Sequence, residues 1–211
     1  MMGLASAAFW SGQAASMPPI EPQPEVAVVS EVLEVSEEPP EIAEIELDRA
    51  HRVQTVRRHL QRFAKRSGLT PLELDALADV VVDESQRHGL APELILAVMH
   101  VESGYQNYVV SEKEAMGLMQ ILPTTGRWLA PQIGLTWHGP QTLFDPIANV
   151  RLGVAYLRQL WDHYDGNVSA ALAAYNWGPG HIDRRIASGV PLPAEYPQLV
   201  LAVLKRNTRR S

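Results

Sequence analysis

The chain has 211 residues, no cysteine and a formal net charge of −6, and 46% of its residues are hydrophobic. The length allows one domain with a sizeable core plus extensions. The absence of cysteine excludes disulfides and thiolate chemistry, and the acidic balance argues against general nucleic-acid binding. No apolar run reaches the roughly 18 residues of a transmembrane helix. No metal-binding or nucleotide-binding motif occurs, so we expect neither a metal ion nor another cofactor.

Residues 1–48 predict a low-complexity extension rather than a folded unit. Residues 1–16 are small and apolar but lack the positive n-region of a secretory signal, so either another export route or a different natural start is indicated. Between residues 18 and 48 there are six prolines and ten acidic residues but no basic residue. Such a segment repels itself and packs poorly, which predicts a disordered acidic tether.

Residues 49–66 have the opposite charge, with seven basic residues and no acidic one. Their apolar positions follow a 3-4-3 spacing, at Val53, Val56, Leu60 and Phe63. This spacing predicts an amphipathic helix. We favour a helix that packs on the following domain or on itself. The alternative is a helix that docks on a partner or on an anionic membrane surface.

The pattern predicts a folded, all-α domain over residues 67–211. A capping box, Thr70-Pro71-Leu72-Glu73, begins a helix that is expected to end at Gly89. Further helices are expected over residues 92–103, after Pro123, from Pro146 to about Tyr164, and over residues 168–176, 182–187 and 194–204. No segment alternates convincingly with period two, so no strand is predicted.

One carboxylate stands out, because Glu102 falls in the last turn of the almost wholly apolar helix that ends at Gly104. Its neighbours one turn back, Val98 and Met99, are apolar. Burial and the negative end of the helix dipole both disfavour the charged form of this carboxyl group. A general acid needs such an environment, because it must stay protonated near neutral pH. Taken alone, Glu102 is more simply interpreted as a helix-terminal residue that reaches solvent.

Three separated motifs change that interpretation: Glu102-Ser103, Gly117-Leu118-Met119-Gln120 and Ala174-Tyr175-Asn176-Trp177-Gly178-Pro179-Gly180. In order and spacing they resemble the lytic transglycosylase catalytic domain of the soluble-transglycosylase type. The resemblance covers roughly residues 72–204. It implies a lysozyme-like helical fold, with peptidoglycan glycan strands as the substrate.

The resemblance also implies a mechanism with a single catalytic residue. Glu102, protonated, would cleave the β-1,4 bond between N-acetylmuramic acid and N-acetylglucosamine. As a carboxylate it would then take the proton of the muramic C6 hydroxyl, which closes a 1,6-anhydro ring without consuming water. A retaining glycosidase would instead need a second carboxylate about 5–5.5 Å away. The candidates for that partner are Glu112, Glu114, Asp145, Asp162 and Asp183, none of them in an obviously buried position.

The residue types of the motifs suit the binding of amino sugars. The amides of Gln120 and Asn176 can both donate and accept hydrogen bonds, which fits N-acetyl groups. Tyr175 offers a flat ring with a polar edge, and Gly117 permits close backbone approach. The predicted substrate-binding residues are Ser103, Gly117, Met119, Gln120, Tyr175, Asn176 and Tyr196.

Two positions depart from the family pattern. Ser111-Glu112-Lys113-Glu114-Ala115 stands where Ser-Pro-x-Gly-Ala is common, which changes the loop beside the cleft and adds two acids there. The family tyrosine near the catalytic glutamate is expected at position 199, which is a leucine. Tyr196 lies about one turn earlier, so it is the remaining candidate for that role.

Two alternatives to the transglycosylase remain open. A muramidase on the same fold would hydrolyse the same bond, and a non-catalytic module would bind glycan strands or take part in an envelope or secretion assembly with a protein partner. Glu102, Gln120 and Asn176 argue against the module, because a pure binder has no need of a buried acid. In each case the substrate places the protein in the periplasm or cell envelope.

Overall fold

The structure is a computed structural model that describes residues 40–209. The predicted apolar segment, and all but the end of the predicted tether, lie outside these residues. Within them the chain forms two short 3₁₀ helices (Ala130–Ile133 and Pro140–Phe144) and nine α-helices: α1 (Pro40–Gln61), α2 (Ala64–Ser67), α3 (Pro71–His88), α4 (Pro92–Ser103), α5 (Pro123–Leu129), α6 (Pro146–His163), α7 (Val168–Trp177), α8 (Pro179–Ala187) and α9 (Glu195–Thr208).

The all-α class predicted from the sequence is confirmed for the part of the chain that the structure describes. Its only strand-like pairings are two isolated bridges, from Met116 to Val110 and to Ile121. None of the helices over residues 40–209 is long and apolar enough to cross a membrane.

Helix α1 begins nine residues before the predicted start of the basic helix, so the predicted tether boundary at residue 48 falls inside it. The acidic residues of this segment precede its basic residues along the helix axis, an order that the helix dipole favours. Arg52 also pairs with Asp48 one turn earlier, at 2.8 Å. The sequence interpretation counted only repulsion among the acids and missed this arrangement.

Helix α1 packs antiparallel to α3. Val53, Val56 and Leu60 are buried in the main hydrophobic core. Outside this apolar contact, Arg49 pairs with Asp83 at 2.8 Å and Arg57 with Asp75 at 3.0 Å. Partly exposed pairs of this kind are each worth about 0–1 kcal/mol, so they set the register of the helices more than their stability.

Helix α4, which carries Glu102, is buried along most of its length. Its residues 94–99 are all buried, and α3 and α9 pack against it. The helix ends at Gly104, whose left-handed conformation (φ +58°) allows its N–H to bond to the carbonyl oxygen of His100. This ending places Glu102 in the last turn, as the sequence predicts.

The helix after the Gly-Pro-Gly sequence begins earlier than predicted, at Pro179 rather than at residue 182. The sequence interpretation left Pro179 between two predicted helices, over residues 168–176 and 182–187. Proline is favoured at the first position of a helix, because a backbone N–H at that position would have no partner within the helix. Gly178, with φ +81°, makes the sharp turn between α7 and α8.

A buried amide on α6 holds the turn formed by residues 116–120. The Asn149 side chain is fully buried, and its Nδ2 donates to the carbonyl oxygens of Met116 and Leu143, both at 2.9 Å. Its Oδ1 accepts the N–H of Met119 at 2.8 Å. Gly117 lies against the same amide in a left-handed conformation (φ +80°), and a Cβ there would overlap Asn149 and the Leu143 carbonyl.

We expect Asn149→Ala to lower the free energy of unfolding by at least about 2 kcal/mol, because it leaves buried backbone groups without partners. Gln132→Ala is the control, since it removes an exposed amide that bonds to the Trp128 carbonyl oxygen; its effect should stay within about 0.5 kcal/mol. Urea unfolding of both variants measures the difference. Equal midpoints would show that Asn149 does not hold the turn.

Candidate active site

Glu102 lies in the last turn of α4 with one side open to a cleft. The neighbours predicted for it, Val98 and Met99, are both fully buried. Burial raises the pKa of Glu102 from its ordinary value of 4.5 to about 7, although a hydrogen bond from Tyr196 opposes part of the increase. At neutral pH this carboxyl group is therefore protonated in a large fraction of the molecules.

The hydroxyl of Tyr196 donates a hydrogen bond to Oε1 of Glu102. Tyr196 lies in the first turn of α9 and is buried, and burial together with the nearby Glu102 raises the pKa of its phenol well above the usual value. Leu199, at the position where the family tyrosine was expected, is 52% exposed. Tyr196 is thus the tyrosine that contacts the glutamate in this chain, although it lies one turn early.

Glu102 lines a cleft of about 430 Å³. The cleft brings together four residues predicted from the motifs: Glu102, Gln120, Tyr175 and Asn176. They come from the end of α4, the turn before α5 and the end of α7. The other lining residues, which the sequence did not single out as binding residues, are Ser111, Glu112, Lys113, Ala115 and Leu122.

The two amides present different groups to the cleft. Gln120 adopts a left-handed conformation (φ +49°), and its Nε2 donates to the carbonyl oxygens of Gly117 at 2.9 Å and Val109 at 3.2 Å. Its side-chain oxygen is left to accept a hydrogen bond from a ligand. Asn176 is exposed at the end of α7, and its amide makes no hydrogen bond within the described residues, so it can both donate and accept.

Tyr175 forms part of the cleft wall and connects it to the turn behind. Its hydroxyl donates to the carbonyl oxygen of Met119 at 2.9 Å, and its ring lies 5.4 Å from that of Tyr156. Because this bond occupies the phenolic proton, the ring face is what Tyr175 offers to a ligand. Trp177, on the same helix, instead stacks on His181 with ring centroids 5.3 Å apart, and it does not line the cleft.

Three predicted substrate-binding residues lie behind the cleft wall. Ser103 is buried, and its hydroxyl lies 2.8 Å from the Leu118 carbonyl oxygen and 3.1 Å from that of Met99. Met119 is fully buried, and Gly117 packs against Asn149 rather than facing the cleft. All three residues are buried, so the structure places them behind the cleft wall and not on the surface that a substrate would contact. They hold the wall in place.

The loop where the chain departs from the family pattern supplies four of the lining residues, Ser111, Glu112, Lys113 and Ala115. Its end is shaped by Glu114, which adopts a left-handed conformation with φ +63°. The Ser111 N–H bonds to the Ala115 carbonyl oxygen at 2.9 Å, which closes the loop. The departure from the family sequence was the signal that could have identified these residues.

Residues 79–190, just over half of the chain, match a family model described as Transglycosylase SLT domain. The membrane-bound lytic murein transglycosylase C of Edwardsiella ictaluri is 37% identical over 134 residues, which cover 57% of this chain and 37% of that protein. The protein of the same name from Sodalis glossinidius is 37% identical over 155 residues, with 62% and 43% covered. The chain thus spans less than half the length of these relatives.

Solved structures give the same picture of the fold. An inactive mutant of the lytic transglycosylase Slt from Pseudomonas aeruginosa has a TM-score of 0.57 and 29% identity, covering 62% of this chain and 24% of that one. The 70 kDa soluble lytic transglycosylase from Escherichia coli has a TM-score of 0.54 and 23% identity, with 65% and 28% covered. The lysozyme-like helical fold implied by the motifs is therefore confirmed.

The raised pKa of Glu102 predicts a stability cost above pH 4.5. The unfolded chain releases this proton near pH 4.5, whereas the folded protein keeps it until about pH 7, so stability falls over that interval and stays lower above it. Glu102→Gln removes the cost and should be more stable than the wild type at pH 8, by up to about 3 kcal/mol, but not at pH 4. Urea unfolding at both pH values measures this difference, and a gap that does not depend on pH would contradict the assignment.

Tyr196→Phe should raise the pKa of Glu102 further, because the lost hydrogen bond favours the carboxylate. NMR titration of the ¹³C-labelled side-chain carboxyl of Glu102 measures the change. Tyr164→Phe is the matched control, since its hydroxyl bonds to Asp183 and the Pro179 carbonyl oxygen rather than to Glu102. If both variants leave the pKa of Glu102 where it is, the Tyr196 bond does not act on the acid.

Proposed function

The chain belongs to the SLT transglycosylase family, and from this premise we propose that it is a peptidoglycan lytic transglycosylase in which Glu102 is the only catalytic acid and base. It cleaves the β-1,4 bond between N-acetylmuramic acid and N-acetylglucosamine and leaves 1,6-anhydromuramic ends. The observation that carries the proposal is the pKa of Glu102, about 7, on a carboxyl group that opens into the cleft.

In the first step Glu102 gives its proton to the glycosidic oxygen, and the bond from that oxygen to C1 of the muramic residue breaks. Because the Tyr196 hydroxyl donates to Oε1, the proton is carried on Oε2. The same hydrogen bond stabilises the carboxylate that remains. Positioned acid catalysis of this kind typically contributes about 10²–10⁴-fold to the rate.

In the second step the Glu102 carboxylate takes the proton of the C6 hydroxyl, and O6 attacks C1 of the same muramic residue. The product has an intramolecular 1,6-anhydro ring, and Glu102 is protonated again for the next cycle. No water molecule is consumed in the reaction. A pKa of about 7 suits a group that must act as an acid and then as a base at neutral pH.

The two cleft amides support recognition of N-acetylated sugars. We propose that the side-chain oxygen of Gln120 accepts the N–H of an N-acetyl group, and that Asn176 bonds to an N-acetyl group through its free amide. Tyr175 packs its ring against a sugar face. Tyr196 acts on Glu102 rather than on the sugar.

Hydrolysis by a muramidase is the second candidate, and it depends on a second carboxylate. Asp145 caps α6 by accepting the N–H of Ile147 at 2.9 Å, Asp162 pairs with Arg158, and Asp183 bonds to His163 and Tyr164. Glu114 does not line the cleft, whereas Glu112 does. Glu112 is therefore the residue through which a retaining hydrolase would have to work.

A non-catalytic module fits the site less well. Keeping a carboxyl group protonated by burial costs stability above its ordinary pKa, and the binding of a glycan does not require such a group. Enzymes keep such groups because the proton is used. The protein partner considered for an envelope or secretion assembly remains a prediction.

The substrate gives the proposed location. Peptidoglycan lies in the cell envelope, so the cleavage takes place there, and we propose the periplasm as the compartment. The relatives in Edwardsiella and Sodalis are named as membrane-bound murein transglycosylases, which agrees with an envelope location.

Mass spectrometry of muropeptides released from purified sacculi tests the proposal. The wild-type chain should release products with 1,6-anhydromuramic ends, each one water lighter than a hydrolytic product. Glu102→Gln keeps the shape of the side chain and removes the acid, so release should fall by at least about 100-fold. In the Pseudomonas Slt structure the inactive mutant carries the same type of substitution.

Two variants control this measurement. Glu93→Gln changes a carboxylate in the first turn of the same helix, about 13 Å from Glu102 along the axis, and should leave the release unchanged. Glu112→Gln separates the two mechanisms. Reducing muramic ends from the wild type, together with loss of cleavage in Glu112→Gln, would replace the transglycosylase by a muramidase.

A further inference from the structure

Positive charge is unevenly distributed over the domain. Residues 49–211 contain 18 basic and 14 acidic residues. On the side where α1 meets α3 the charges are paired, as Arg49 with Asp83 and Arg57 with Asp75 show. On α6, Arg158 pairs with Asp162. Within residues 40–209, most of the basic residues without an ion pair lie around the end of α1, in α2 and at the end of α9, and the others are Lys113, Arg127, Arg184 and Arg185.

Six of these residues form what we call the basic face: Arg58, Arg62, Arg66, Lys205, Arg206 and Arg209. All six are exposed, and none makes an ion pair within the described residues. The hydrogen bonds of Arg58 go to neutral acceptors, the Gln54 carbonyl oxygen and the Thr55 hydroxyl. The positive charge of this face is therefore not neutralised locally.

The six side chains surround one region of the surface. Arg58 and Arg62 line a small hollow beside Asn207 of α9, in which Glu93 supplies the one lining carboxylate. Lys205 and Arg206 of α9, together with Arg209 just after it, line a separate groove that reaches His100. Arg66 lies beside the end of α4, with its guanidinium 3.5 Å from where a Cβ of Gly104 would stand, and Arg206 lines the groove beside His100 of α4.

The groove has an apolar floor between these charges. Its volume is about 630 Å³, and it is lined by Val101, Leu199, Ala202 and Val203 beside the basic residues. Leu199 projects into solvent with 52% of its surface exposed. Surfaces that bind at the interface of a lipid bilayer combine exposed apolar side chains with cations in this way. The apolar side chains enter the boundary of the acyl chains, while the cations remain among the lipid headgroups.

We propose that the basic face binds the surface of an anionic phospholipid bilayer. Five of its six cations are arginines, whose planar guanidinium bonds to phosphate oxygens in a bidentate manner. A glycan strand would instead call for amides and aromatic rings of the kind that line the Glu102 cleft. The binding is separate from cleavage, because no residue of the basic face lines that cleft.

Flotation with lipid vesicles tests this proposal. The complete chain should float with vesicles of phosphatidylcholine containing 30% phosphatidylglycerol, and not with phosphatidylcholine alone. Binding should weaken strongly in 0.5 M NaCl, because exposed charges are then screened. Each basic side chain near an anionic surface contributes about fivefold to binding. The double variant Arg206→Gln/Arg209→Gln should therefore bind about 30-fold more weakly.

The matched control is Arg127→Gln/Arg184→Gln, which removes the same charge from α5 and α8. It should float as the wild type does, which separates the basic face from a general effect of net charge. Leu199→Ser should weaken binding in low salt and leave its salt dependence in place. Circular dichroism melts check that each variant is folded, and release of muropeptides should be retained in both double variants.

Three outcomes would overturn the proposal. The first is no flotation of the wild type with anionic vesicles. The second is equal loss of flotation in the two double variants. The third is that Arg206→Gln/Arg209→Gln floats normally but no longer sediments with sacculi, in which case the face binds anionic glycan instead. Cleavage of sacculi is scored separately, so failure of vesicle binding leaves the enzymatic proposal untouched.

Discussion

The carboxyl group of Glu102 keeps its proton near neutral pH because most of it is shielded from water. Much of the packing of the domain contributes to this shielding. Helix α4 is buried along residues 94–99, so its last turn emerges from an apolar core with the acid at its end. Helix α9 packs on the same helix and brings a phenol to one oxygen of the carboxyl group. Packing of helices, rather than a nearby charge, sets the pKa of this group.

The cleft wall depends on buried hydrogen bonds between separate elements. Asn149 of α6 holds the turn at residues 116–120, Ser103 holds the end of α4 to it, and Tyr175 holds the end of α7. The bonds of Ser103 and Tyr175, and the bond from the Met119 N–H to Asn149, each satisfy a backbone group that has no other partner among the described residues. Gln120 stands at the end of this turn in a left-handed conformation, and its side chain lines the cleft.

The sequence predicted the helices well where local chemistry ends them. The capping box at Thr70 and the glycine after Glu102 were both confirmed, and they are enough to place the acid. Motif matching identified the residues of the cleft wall. It did not distinguish residues that face the cleft, such as Gln120, from residues buried behind it, such as Met119, because long-range packing decides which of them is covered. Tyr196 could not be placed from spacing alone, since its contact with Glu102 depends on how α9 lies across α4.

The bond from Tyr196 to Glu102 joins residues that are 94 positions apart in the chain. Contacts of such separation form after local structure, because the intervening chain must first be brought together. As the chain is synthesised, α4 is made before α9, so until α9 packs Glu102 lacks both the Tyr196 bond and whatever burial that helix supplies. The order of synthesis therefore delays cleavage activity, because a partly made chain contains Glu102 but not the helix that completes its surroundings.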